Sequence, residues 1–167
     1  DHSYPLEELG VQTHSIALND SSFDSWIATI DPEIVVFDRF VTEEQFSWRI
    51  RENCPSALRI LDTEDLHFLR ESRRMTVLEK EADHDPESLS DITLRELASI
   101  YRSDLSLIIS QAELDLLTGT FKVSPSLLHY LPFLISTENL PECRSLPSFS
   151  ERVDFMTIGN WKHGPNK

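Results

Sequence analysis

Asp62, Glu64, Asp65 and His67 fall within one short stretch of the chain, and they are the residues best suited to do chemistry. Three carboxylates and an imidazole at this spacing fit an acid/base set, a weak metal site, or the solvated start of a helix. They follow directly on the apolar run Leu58-Arg59-Ile60-Leu61, and a helical pattern begins behind them. A second run, Ile34-Val35-Val36-Phe37, ends in the same way on Asp38 and Arg39. In open α/β sheets, ligands collect at the carboxyl ends of the strands, so two such strand ends point to one shared cleft. Asp62 is the strongest candidate, because it sits before any helix cap is needed. Asp65 also fits a helix N-cap, and Glu64 gains from the positive end of the helix dipole. Arg39 either pairs with Asp38 or offers its planar donor fork to a phosphate or carboxylate. Asp-x-Glu-Asp on a single loop is a weak metal signature, and no metal is assigned.

Elements must position these residues, and the apolar pattern supplies them. Strand-length apolar runs alternate with helical periodicity, the signature of βαβ units and a mostly parallel sheet. The expected strands are Val11–Leu18, Ile34–Phe37 (as a central strand), Leu58–Leu61, Leu105–Ile109, an apolar segment at Leu127–Leu134, and Val153–Ile158. Between them the pattern predicts helices over Ser22–Ile30, Thr42–Asn53, Leu66–Ala82, Asp91–Tyr101 and from Ser110 to Gly119. Thr42-Glu43-Glu44-Gln45 and Ser110-Gln111-Ala112-Glu113 both read as capping boxes, which makes Ser110 and Glu113 structural. Arg70, Arg73, Arg74 and Lys80 read as a solvated basic face, and His14, His84 and His129 as isolated histidines.

The chain has 167 residues, 40% of them hydrophobic, enough for one well-packed core. A formal net charge of −14 argues against nucleic acid or an anionic membrane surface as partner, since both are polyanions. Cys54 and Cys143 are too few for a disulfide framework and read as reduced thiols of a cytoplasmic protein. No apolar stretch approaches the ~20 residues of a transmembrane helix, and no secretory signal opens the chain. Four glycines form neither a dinucleotide fingerprint nor a P-loop, and no G-x-S-x-G elbow is present. The irregular ends, without an initiator Met, read as those of a piece of a longer protein.

Taken in order, four segments resemble a glycosyltransferase of the GT-B fold, group-1 or family 4-like. Ile60-Leu61-Asp62-Thr63-Glu64-Asp65-Leu66-His67, with Leu69-Arg70, is similar to the strand-to-helix "LDxHDxxxxR" segment of that family's N-terminal domain. Leu107 to Leu117 resembles "vvSeaEkelL", and Phe121 to Pro132 resembles "fgvppekvhviPnG". Asp154 to Asn166 resembles "ilFvGsfxhxPN", the opening of the nucleotide-sugar domain. Glu64 departs from the pattern, standing where relatives carry histidine, and Phe133-Leu134 replaces the usual Asn-Gly.

The resemblance implies an α/β, Rossmann-like three-layer domain with a mostly parallel sheet, incomplete, as half of a GT-B fold. Residues 1–135 would be part of the acceptor-side domain, 136–152 an interdomain linker, and 153–167 the first strand and turn of the donor-binding domain. The implied activity is sugar transfer from a nucleotide-sugar donor to an unspecified acceptor, with no cofactor, and with this piece alone inactive. Asp62, Glu64 and His67 would be catalytic; Asp38, Arg39 and Asp65 would bind acceptor; Gly159 and Asn160 would approach the donor diphosphate. A rival reading is a flavodoxin- or receiver-like module with an acidic metal pocket at Asp38 and Asp62.

Overall fold

The computed structural model describes residues 6–79, 89–134 and 147–154. Its element order is α1 (Ser22–Ile30), β1 (Ile34–Asp38), α2 (Arg39–Asn53), β2 (Leu58–Asp62), α3 (His67–Glu79), α4 (Asp91–Arg102), β3 (Leu105–Ile108), α5 (Gln111–Gly119) and β4 (Leu128–Tyr130). The four strands form one sheet in the order β1-β2-β3-β4, and every pairing is parallel. The architecture is α/β with an all-parallel sheet, as the alternating pattern predicts, and is consistent with a Rossmann-like three-layer domain of which the described residues supply the sheet and one helix layer.

Side-chain parity explains where the core sits. Phe37, Leu61, Ile108 and Leu128 belong to one hydrophobic cluster with Phe46, Ile50, Leu66 and Leu117 from the helices. The alternate strand residues do not belong to it. Ile34 and Val36 are each 56% exposed, and Leu58, the register partner of Ile34, is exposed as well. Among the described residues, then, helices cover one face of the sheet and leave the other largely open. Parallel sheets are normally covered on both faces, so this open face is an unusual feature.

Three expectations are corrected. Val11–Leu18 is not a strand but an irregular, exposed segment. His14 stacks on Trp26 of α1 at 4.5 Å, so the segment is tied to a helix and not to the sheet. β1 is consequently an edge strand among the described residues; a continuous apolar run reads the same at an edge as in the centre. Thr42 caps nothing, because α2 already begins at Arg39 and Thr42 lies inside it. The hydrophobic staple across it is also missing: Phe46 is buried but Val41 is exposed.

The remaining helices and strands match their expected spans within a few residues. Ser110 caps α5 by accepting the Glu113 N–H at 3.2 Å. Cys54 is buried at the end of α2, its thiol directed at the Ile27 carbonyl. Residues 82–88 of the connection, 136–146 of the linker and 155–158 of the expected final strand, with His84 and Cys143, lie outside the described residues; within them, Phe149–Glu151 forms one 3-10 turn and Val153 and Asp154 belong to no strand. No described helix is long and apolar enough to cross a membrane.

Candidate functional site at the carboxyl edge of the sheet

The turn between β2 and α3 presents the acids, and it is held from four directions. The Glu64 N–H donates to Asp62 Oδ1 at 3.1 Å, closing an Asx-type turn, and the Asp65 N–H donates to the Thr63 carbonyl at 2.7 Å. The buried Thr63 hydroxyl donates to the Leu107 carbonyl of β3 at 2.8 Å. The first amides of α3 are then satisfied by two buried glutamates from other helices. Leu66 N–H donates to Glu113 Oε1 at 3.1 Å, and His67 and Phe68 N–H donate to the two Glu96 oxygens at 3.1 and 3.0 Å. Helix N-termini carry unpaired donors and partial positive charge, so a carboxylate placed there is stabilised.

This arrangement corrects two structural expectations. Asp65 is not the cap of α3; its carboxylate takes a two-pronged contact from Arg70 Nη1 at 2.8 and 2.9 Å. Glu113 does not fold back to complete a capping box. One of its oxygens serves Leu66, and the other is buried without a partner among the described residues.

Asp38 and Asp62 are register partners at the ends of adjacent parallel strands, so the two strand ends do meet. Arg39 Nε lies 3.0 Å from Asp38 Oδ1 and 3.6 Å from Glu64 Oε2, bridging the two loops. The hydrogen bond to Asp38 raises the Arg39 pKa further, so its charge is permanent. Arg39 and Glu64 both hold left-handed backbone, φ +66° and +57°, a conformation that costs a non-glycine residue about 1 kcal/mol or more. Strain of this kind tends to gather at functional sites.

Asp62, Glu64, Asp65 and Arg70 line an open cleft of about 740 Å³, whose opposite wall is apolar, from Leu131 to Leu134. Asp38 and Arg39 stand beside this cleft and not in its lining. His67 turns away from it. Its ring packs edge-on to Phe40 at 5.4 Å, and Nδ1 lies 3.2 Å from the Asp65 carbonyl and 3.5 Å from Glu96 Oε1. Glu96 is the main cause of its raised pKa, with burial opposing. His67 is therefore placed to position the loop. Gly159 and Asn160 lie outside the described residues.

Among the described residues no group of three or more His, Cys, Asp or Glu side chains is arranged to hold a metal ion. Asp38, one half of the acidic pocket expected of a receiver-like module, is engaged by Arg39. Sequence reading passed over Arg70 as a surface charge, although its spacing from Asp65 in the quoted motif was the available signal. It also missed Glu96, which looks like any exposed helical acid until α3 is laid against it. Compared with known proteins, the chain matches no family, and no curated protein or solved structure matches it.

Proposed function

We propose that this chain contributes the acceptor side of a sugar-transferring enzyme built like a GT-B glycosyltransferase. The observation that carries the reading is the convergence of Asp62, Glu64, Asp65 and Arg70 on one cleft at the carboxyl edge of a parallel sheet. Glycosyl transfer develops positive charge on the donor sugar and requires a proton to leave the acceptor hydroxyl. Asp62 is suited to accept that proton, because its carboxylate is fixed by the Glu64 amide and remains half-exposed to the cleft. Glu64 and Arg39 flank it and would hydrogen-bond neighbouring hydroxyls. Arg70 holds Asp65 in place. The apolar wall supports the reading too, since Phe133 and Leu134 are 82% and 84% exposed where a second lobe would close the cleft.

The test is nucleotide release by the full-length protein supplied with UDP-, GDP- or ADP-linked sugars and a panel of simple glycoside acceptors. One donor should support turnover, and Asp62→Asn should lower kcat by about 100-fold or more, the usual scale for a general base. Retained circular dichroism would exclude misfolding. Turnover unaffected by Asp62→Asn would remove Asp62 from the chemistry, and no release from any donor would overturn the reading.

A further inference from the structure

A second cavity, of about 460 Å³, lies in a groove between α2 and α4 that runs from Glu43 and Glu44 in the second turn of α2 to Arg51 in its last. Trp48 and Tyr101 line it and are 45% and 55% exposed. Two carboxylates and three guanidiniums share its lining, a local excess of positive charge in a chain of net −14.

These charges are not equivalent. Glu43 is fully buried and takes a forked contact from Arg102, Nε to Oε1 at 3.0 Å, which builds a rigid floor. Arg59 is spent on Asp104, with Nη2 at 2.9 Å from Oδ1, and Glu44 is spent on Arg95, which lies outside the groove. Arg51 differs. It lines the same groove, is exposed, and its side chain has no hydrogen bond or ion pair among the described residues. Its place in the last turn of α2 accounts for a cation there, since helix C-termini favour positive charge. It does not account for an exposed Trp and an exposed Tyr converging on the same groove. Trp, Tyr and Arg together are the composition of binding hot spots.

We propose that this groove is a binding site for a small molecule with a flat ring and one anionic group, either carboxylate or phosphate. The ring lies against Tyr101 or against Trp48, over which the Arg49 guanidinium already stands 4.5 Å from the ring centre and leaves one face for a ligand. The anion is taken by Arg51, the one guanidinium of the lining without a carboxylate partner among the described residues. The Glu43–Arg102 pair holds the floor. The groove shares no lining residue with the cleft that holds Asp62, so the proposal does not depend on the function proposed there.

Two probes separate the anion chemistries: adenosine monophosphate for phosphate and salicylate for carboxylate, each titrated into the intact protein and followed by calorimetry and by chemical-shift changes at the Trp48 indole. At least one should bind saturably. Arg51→Gln should weaken it by about tenfold or more, the scale of one charge-assisted contact, and Trp48→Leu should do the same. Both positions are exposed, so both variants should retain the wild-type circular dichroism. Asp62→Asn should leave binding unchanged. Saturation by neither probe, or binding that Arg51→Gln leaves intact, would overturn the proposal.

Discussion

The two faces of the sheet use similar residues for different ends. On the covered face Phe37, Leu61, Ile108 and Leu128 merge with the helices, and the acids packed there, Glu43, Glu96 and Glu113, are buried. On the open face Ile34, Val36 and Leu58 stay exposed, and the acids at its carboxyl end, Asp38 and Asp62, remain accessible. One side holds the fold together. The other is left available. Burial, and not residue type, decides which role an Ile or a carboxylate plays.

The sharpest way to break this comparison is to truncate one strand residue on each face. Leu61→Ala removes a side chain with 0% exposure from the middle of the cluster and should cost about 3–5 kcal/mol in urea unfolding. A cost below 1 kcal/mol would mean the cluster does not carry the stability. Next in size, Glu96→Ala leaves two amides at the start of α3 without their acceptor and should cost about 2–3 kcal/mol.

The same carboxylate sets a pH dependence. The folded-state pKa of His67 lies above its ordinary 6.5, so the imidazolium–Glu96 contribution is complete below that value. It fades as pH rises through the elevated pKa. Thermal midpoints should therefore fall as pH climbs from about 6.5 toward 8, and His67→Gln should flatten that slope. The smallest effect belongs to the open face, where Val36→Ala should change stability by no more than about 0.5 kcal/mol. A larger loss would show that something covers this face in solution.

Much of this was legible in the sequence. Apolar runs located all four strands, and the acidic ends of two of them placed Asp38 beside Asp62, because parallel strands joined by helices align their carboxyl ends. The open face was not legible: Ile34-Val35-Val36-Phe37 reads identically whether both of its faces are covered or only one. The glutamate supports of α3 were hidden for a different reason. Glu96 and Glu113 act across helix–helix and helix–loop contacts, at separations of 29 and 47 residues from the amides they hold, far beyond any local pattern. The Val11–Leu18 error came from counting Val11, Ile16 and Leu18 as strand residues when, among the described residues, no neighbouring strand receives them.

Cys54 has a practical consequence. Its thiol is 2% exposed, and burial raises its pKa, so both access and thiolate supply are restricted in the native state. In a Cys143→Ser background, alkylation would proceed only in molecules where α1 has lifted from α2. The labelling rate thus becomes a clock for that opening, read at one atom without denaturant.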